Sequence, residues 1–292
     1  MKFFKVKPSD TKEYSMTRND FDAARQRNES LYQNHNCYGI CPYCSNPVQL
    51  LGIMRTIEVS PYGKHCRKTI PSVAIHNITN YEYCIYASHQ KAVNKDDRKT
   101  EVTDRDKRIF EMIRKYITQI MYIIKQDSDI YISKSLQKDI IDICCNRRVW
   151  LYPWIDEANI PWVMMYQYGA INLYGKYIKI GSPLYQELLK RGFVFEKEDK
   201  VRGYQQILKQ TKYFNYSYSF AFHKRRVKED GHLEEYIIAT LFDKEKEQEI
   251  LRTRIDIHHQ RFHDLLNTKK SYNDQELIEY TKAVMTNNKI SD

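Results

Sequence analysis

The cysteines of this chain are concentrated in one short region, which limits how that region can fold. Five of the seven cysteines lie between residues 37 and 84. Cys41 and Cys44 are spaced C-x2-C in the stretch NCYGICPYCSNPVQLLG, and two thiolates at this spacing on a tight turn can point at one tetrahedral ion. A redox C-x-x-C would open a helix beside a βαβ unit, whereas a proline and a strand-like apolar run follow here. The sequence therefore predicts a zinc-binding turn followed by a strand.

A zinc ion that is held only by protein groups needs two further ligands, normally from a second segment. The candidates lie in PYGKHC and in YEYC, and the second of these follows the turn by about forty residues. We predict the ligands Cys41, Cys44, His65 and Cys84, while Cys66, Cys37 and His89 remain alternatives for the fourth position. Scattered buried thiols are the competing interpretation, which the clustering of the cysteines disfavours. Four protein ligands leave no open coordination position, so this zinc would be structural rather than catalytic.

The length of the chain, 292 residues, allows a substantial core and indicates two domains. We predict an N-terminal helix plus zinc-binding module over 1–92, an α+β domain over 105–292, and a polar linker at about 90–104. No apolar run of about eighteen residues is available to span a membrane, and the polar N-terminal stretch is unlike a secretory signal. We therefore expect a cytoplasmic protein with reduced cysteines and no membrane partner.

The formal net charge of +10 indicates a weak attraction for polyanions. The basic residues are spread along the chain, and acidic residues fall between many of them, as in KEDKVRG and DKEKEQE. A solvated surface is therefore favoured over a dedicated nucleic-acid interface, which stays the second choice. The positive charge argues against a nucleic-acid mimic, because mimicry requires dense negative charge.

Hydrophobic periodicity predicts an α+β fold in which helices surround an antiparallel hairpin. In the first helix Phe21, Ala24 and Leu31 share one face, and the clearest helix can be capped by Asp104 or Asp106. The predicted helices cover about residues 15–33, 104–126, 133–145, 181–192, 244–267 and 273–287, with Cys144 and Cys145 in the core.

The strongest strand signal is YFNYSYSFAFHKRRV, in which aromatic residues alternate with small or polar ones. The following turn KEDGH and the β-rich YIIATLF predict an antiparallel hairpin. The aromatic face could stack on bases while KRR holds phosphates, but five aromatic residues with no basic residue among them favour a core strand. The five are Phe214, Tyr216, Tyr218, Phe220 and Phe222.

Sequence motifs for catalysis are weak in this chain. His259 and His263 have the i, i+4 spacing of a zinc-protease helix, but Gln260 occupies the place of the general base, so a surface or partly buried pair is favoured. Glu196 and Glu198 resemble the E-x-K of some metal-dependent nucleases, yet the aspartate of this segment follows them instead of preceding them. Neither a phosphate-binding glycine loop nor a G-x-S-x-G elbow occurs. The sequence therefore predicts a protein that is not an enzyme.

The combination of CYGICPYCSNPV, PYGKHC, YEYC and IPWVMMYQYG resembles a family of uncharacterised proteins from Gram-positive bacteria and their phages. The size, the basic charge and the abundance of Lys, Ile and Tyr are similar to those of the phage-encoded Gabija anti-defence proteins of the first type described. The resemblance covers most of the chain, and it assigns no role to any single residue. It implies a protein that assembles into a higher oligomer, wraps the host's Gabija nuclease–helicase complex and blocks its access to DNA.

Two functional hypotheses from different classes follow. The first is a non-enzymatic, zinc-containing inhibitor that forms a homo-oligomer and binds a host defence complex, for which the 24 tyrosines would supply interface anchors. The alternative is a zinc-containing nucleic-acid-binding protein that uses the basic residues. Salt separates them, because polyanion binding weakens steeply with rising salt, whereas an aromatic-anchored protein interface tolerates moderate salt.

Overall fold

The computed structural model describes residues 1–10, 12–54, 60–88, 91–196, 200–208, 215–268 and 272–287. The chain forms two compact units, one built from Met1–Asn94 and Arg225–Glu234 and the other from Lys95–Lys224 and Glu235–Asp292. Helices and antiparallel strands are combined throughout, so the predicted α+β class is confirmed.

The first unit contains short strands and two helices. Its elements are β1 (Phe3–Phe4), β2 (Tyr14–Ser15), α1 (Arg18–Arg27), β3 (Tyr32–Gln33), β4 (Asn36–Ile40), β5 (Pro47–Leu51), β6 (Tyr62–His65) and α2 (Ile78–Glu82). The side chain of Thr17 caps α1 by accepting a hydrogen bond from the backbone N–H of Asp20, and the helix buries Phe21 and Ala24. Because Asn28 is extended, α1 is shorter than the helix predicted over 15–33.

A four-stranded antiparallel sheet in the order β3-β4-β5-β6 forms the centre of the first unit. Its register pairs Ile40 with Pro47 and Gly39 with Val48. The side chains of Ile40 and Val48 are fully buried, as is that of Phe4. A Cβ atom at Gly39 would lie 2.6 Å from Phe4 Cδ2, so this strand position has no room for a side chain.

The helices of the second unit are α3 (Asp104–Asp127), α4 (Lys134–Asn146), α5 (Ile160–Tyr168), α6 (Pro183–Lys190), α7 (His259–Leu266) and α8 (Gln275–Asn287). Thr103 caps α3, and its side chain accepts from the backbone N–H of Asp106, whose carboxylate accepts from the backbone N–H of Thr103. The sequence predicted Asp104 or Asp106 as the cap, so the capping residue is corrected to Thr103. Cys144 and Cys145 are buried in α4, as predicted. Within the described ranges, no helix combines the length and the apolar character needed to cross a membrane.

The strands of the second unit are β7 (Ala170–Asn172), β8 (Tyr177–Lys179), β9 (Tyr204–Gln206), β10 (Tyr216–Val227), β11 (Leu233–Asp243) and β12 (Gln248–Asp256). Four of them form a sheet in the order β12-β11-β10-β7. Tyr218 and Phe220 are buried, as predicted for a core strand, and Phe214 lies outside the described residues. Phe222 is 40% exposed, however, and the next residue, His223, is buried instead. The buried face of β10 therefore changes at this point.

The segment 244–267 is a strand followed by a short helix, so the single helix predicted there is wrong. After β11, Asp243 Oδ1 accepts hydrogen bonds from the backbone N–H groups of Glu245 and Lys246, and Glu247 adopts a positive φ of 51°. This turn leads β12 back along β11, with Thr240 opposite Arg252. Strand pairing outweighs the helical propensity of the Glu- and Lys-rich sequence.

Candidate metal centre

The turn between β4 and β5 places Cys41 and Cys44 on the same side of the backbone. The N–H of Cys41 donates to the carbonyl of Asn46 at 2.9 Å, and the N–H of Ser45 donates to the carbonyl of Cys41 at 3.1 Å. Ser45 has a positive φ of 56°, which closes the turn. Both thiols are buried, Cys41 completely and Cys44 with 2% of its surface exposed.

The other two members of the cluster come from β6 and from the end of α2. His65 is the last residue of β6 and lies opposite Val48 of β5. Cys84 follows α2, and its N–H donates to the carbonyl of Tyr81 at 2.9 Å. We call Cys41, Cys44, His65 and Cys84 the Cys3His cluster.

The four ligand atoms of the Cys3His cluster have the spacing of a tetrahedral zinc site. All of them lie within 4.8 Å of one another. Cys41 Sγ is 3.6 Å from Cys84 Sγ, and His65 Nε2 is 3.3 Å from Cys44 Sγ and 3.6 Å from Cys84 Sγ. Bond lengths of about 2.3 Å to sulfur and 2.0–2.1 Å to nitrogen put neighbouring ligands of a tetrahedral zinc about 3.8 Å (S···S) or 3.6 Å (S···N) apart. The cluster can therefore hold one metal ion without a change of backbone.

Asn46 connects the turn to the segment that carries Cys84. The side chain of Asn46 is fully buried, and its Nδ2 donates to the carbonyl of Asn77 at 3.0 Å. Its Oδ1 accepts from the backbone N–H of Asn77 at 2.6 Å, and Asn77 in turn caps α2. This pair fixes the distance between the two halves of the cluster, as outer partners do at metal sites.

The electrostatics of the Cys3His cluster allow one thiolate in the absence of a cation. Burial would raise the pKa of Cys41, but hydrogen bonds from the other three members outweigh burial and hold that pKa well below the usual value. Burial raises the pKa of Cys44, and hydrogen bonds with Cys41 and Cys44 raise the pKa of Cys84. A divalent cation would remove this conflict by stabilising all three thiolates together.

The structure brings together the four residues that the sequence favoured and leaves two alternatives outside. Cys37 is buried, and burial raises its pKa to about 11. Cys66 follows His65 directly and is half-buried, and its N–H donates to the carbonyl of Pro47. Neither belongs to the group of converging ligand atoms, and His89 lies outside the described residues.

Among the described residues, the two histidines of the zinc-protease spacing do not share a partner. His259 contacts Glu235, whereas His263 one turn later contacts Asn267, so the two histidines have different partners. Glu196 pairs with Lys200 at 2.6 Å, and Glu198 lies outside the described residues.

Two features of the candidate sites were not predicted from the sequence. The Asn46–Asn77 pair was missed, although an asparagine directly after C-x2-C and another before α2 were available as signals. A second group of metal-ligating side chains, formed by Asp156, Glu235 and His259, was also missed, because its members are far apart in the sequence.

The basic residues at the end of β10 have partners of their own. Arg225 lies over the ring of Tyr43 at 5.3 Å from the ring centroid, and Arg226 forms an ion pair with Glu234. The aromatic residues before them are mostly unavailable for base stacking, because Tyr218 and Phe220 are buried. Phe222 is the exposed aromatic residue of β10, and Lys224 lies 5.7 Å from its ring centroid, so this strand offers one ring rather than a row of rings for base stacking.

No protein-family model matches the sequence, and neither the curated proteins nor the solved structures gave a match.

Proposed function

We propose that the Cys3His cluster binds one structural Zn²⁺ ion. The observation that carries this proposal is the convergence of three buried sulfurs and one half-buried imidazole nitrogen within 4.8 Å of one another, with three contacts of 3.3–3.6 Å that match the edges of a zinc tetrahedron. Zinc is the ion that this donor set favours, since soft thiolates with imidazole in tetrahedral geometry are typical of zinc. Four protein ligands complete the coordination, so this ion would have no open position for a substrate.

We propose further that the protein acts by binding another protein and is not an enzyme. Its partner would be a bacterial anti-phage defence complex of the Gabija nuclease–helicase type, which a homo-oligomer of this chain would prevent from reaching DNA. The resemblance to the Gabija anti-defence proteins supports the identity of the partner. The closed zinc site supports a structural role for the metal.

Two exposed isoleucines beside the Cys3His cluster support a protein interface in the first unit. Ile75 is 77% exposed and Ile78 is 55% exposed, although isoleucine is among the residues most often buried. Ile78 is the first residue of α2, and its neighbour Asn77 is held by Asn46. Exposed apolar residues held on a rigid support are typical of binding surfaces.

Native mass spectrometry of the purified chain with the purified Gabija complex tests the proposal. We expect one zinc per chain, a homo-oligomer, and a discrete complex that survives moderate salt and excludes DNA. The double substitution Ile75→Ser/Ile78→Ser should weaken this complex about tenfold or more, because truncated anchors each cost about 1–2 kcal/mol. Val194→Ser, which alters a 54% exposed side chain of the second unit, is the matched control.

The alternative, a zinc-containing nucleic-acid-binding protein, makes the opposite prediction in the same experiment. The purified chain would retain nucleic acid instead of the defence complex, and rising salt would release it. That outcome, together with unchanged behaviour of the isoleucine variant, would refute binding to the Gabija complex. Absence of zinc from the purified chain would refute the structural zinc separately.

A further inference from the structure

We propose that Asp156, Glu235 and His259 form a second metal site, in the second unit, that takes a divalent transition-metal ion. One ligand atom from each of these residues lies within 4.8 Å of the others. Glu235 Oε2 and His259 Nε2 share a hydrogen bond of 2.5 Å, which a bound ion would replace with bonds to both atoms. We call these three residues the Asp–Glu–His group. The inference goes beyond the proposed function and does not depend on it.

The buried carboxylate of Glu235 is the central ligand of the proposed site. Its side chain is fully inaccessible to solvent, and a buried carboxylate is costly unless positive charge and hydrogen bonds compensate it. Oε1 accepts hydrogen bonds from Asn159 Nδ2 at 2.8 Å and interacts with His223 Nε2 at 2.6 Å. Oε2 faces His259, and Asp156 brings a second carboxylate near it, so the group offers two carboxylates and one imidazole to an ion.

Three different elements hold the group in place. Glu235 lies in β11, and His259 is the first residue of α7. Asp156 precedes α5, where its Oδ1 accepts from the backbone N–H groups of Ala158 and Asn159 at 3.0 Å each. Arg105 Nη2 donates to the carbonyl of Ile155 at 2.9 Å and lies 4.0 Å from Asp156 Oδ2. The ligands therefore stand on ordered backbone.

A buried histidine, His223, contacts the other carboxylate oxygen of Glu235. The side chain of His223 is fully buried, and its Nδ1 is 3.2 Å from the hydroxyl of Tyr152. The rings of Trp154 and Tyr166 lie 5.5 and 5.7 Å from the imidazole. The resulting chain from Tyr152 through His223 to Glu235 resembles the outer hydrogen bonds that orient metal-ligating carboxylates.

The donor set and the exposure of the group define the kind of ion. Two carboxylates with one imidazole suit Mn²⁺, Fe²⁺ or Zn²⁺, whereas Mg²⁺ and Ca²⁺ prefer oxygen ligands alone. The side chains of His259 and Asp156 are 34% and 20% exposed, so one side of the site reaches solvent. Three protein ligands with a solvent-facing side leave room for water on the ion, in contrast to the closed Cys3His cluster.

Manganese separates the two sites, because Mn²⁺ prefers oxygen and nitrogen donors while the Cys3His cluster offers mainly thiolates. Full-length protein is first treated with a chelator until one zinc per chain remains, so that the weaker, more open site is empty, because a given nitrogen and oxygen site binds Zn²⁺ more tightly than Mn²⁺. It is then titrated with Mn²⁺, and the loss of the electron paramagnetic resonance signal of free Mn²⁺ reports binding. We expect one Mn²⁺ per chain. His259→Ala should weaken binding at least about tenfold, whereas His263→Ala, which changes the same helix one turn later, should leave it unchanged.

Glu235→Gln keeps the size of the buried side chain and removes its charge, so it should abolish the Mn²⁺ site as well. Circular dichroism establishes whether this buried variant folds, and His259→Ala provides an independent answer because His259 is partly exposed. The proposal is overturned if the parent protein binds no Mn²⁺, or if His259→Ala binds it as tightly as His263→Ala. Neither outcome depends on binding to a Gabija complex.

Discussion

Replacing Cys84 by serine is the sharpest test of the zinc assignment. Cys84 connects α2 to a turn 43 residues earlier in the chain, through its contact with Cys41. If the zinc is treated as a cross-link, closing a loop of this length removes about 4 kcal/mol of chain entropy from the unfolded state. The whole stability of a domain is about 5–15 kcal/mol, so we expect Cys84→Ser to lose about 4 kcal/mol or more, together with its zinc.

The assay follows the two units separately. Trp150, Trp154 and Trp162 are the three tryptophans of the chain, and all lie in the second unit, so their fluorescence reports its unfolding in urea. Release of zinc to a coloured chelator, together with hydrogen exchange at the β4 and β5 amides, reports the first unit. We expect the transition of the first unit to move to much lower urea in the variant.

Cys66→Ser is the matched control, because Cys66 is a half-buried cysteine of the same region that lies outside the Cys3His cluster. This variant should keep its zinc and remain within about 0.5 kcal/mol of the parent protein. The reasoning is refuted if Cys84→Ser retains one zinc per chain with an unchanged unfolding transition. It is also refuted if both serine variants lose zinc to the same extent.

Three further predictions follow from the same contacts. Asn46→Ala should cost about 1–3 kcal/mol in urea unfolding and leave zinc stoichiometry unchanged, because it leaves the part-buried N–H of Asn77 without its acceptor. Zinc binding to metal-free protein at pH 7 should release about two protons, because the pKa values of Cys44 and Cys84 lie above the usual range. The apparent affinity for zinc should therefore fall on acidification, and a pH indicator that detects no proton release would contradict this. Lys99→Met should lower the free energy of unfolding by about 3–5 kcal/mol, because it leaves the buried carboxylate of Asp106 without its ion-pair partner. A loss below about 1 kcal/mol in urea unfolding would contradict that role of Lys99.

The sequence predicted those parts of the fold whose causes are local. Ser182 caps α6 by accepting from the backbone N–H of Tyr185, and Gly192 follows the helix with a positive φ of 79°, both as expected from the residue types alone. The placement of Cys41 and Cys44 on one turn likewise follows from their spacing in the sequence. His65 and Cys84 could also be predicted, because cysteine and histidine are rare enough in this sequence that few candidate ligands existed.

Elements that depend on distant pairing were predicted less well. The segment after β11 contains Glu, Lys, Gln and Leu, which favour a helix, although half-buried and exposed residues alternate over residues 251–256 as in a strand. It becomes β12 because the turn at Asp243 brings it against β11, where Ile237 pairs with Ile255. The period-two alternation in LRTRID was the strand signal in this segment, and the helix-forming residues before it outweighed that signal in the prediction.

The Asp–Glu–His group shows the same limitation at the level of chemistry. Motif searches look for ligands at short spacing on one element, and the pair His259 and His263 satisfied that criterion although the two residues have different partners. The informative feature was different: β10 and β11 each place an ionisable residue, His223 and Glu235, at a buried position. Because buried ionisable groups need partners, two of them on adjacent strands predict contact with each other and with a third charged group. Polar residues that interrupt the buried face of a strand therefore deserve the same scrutiny as recognised metal motifs.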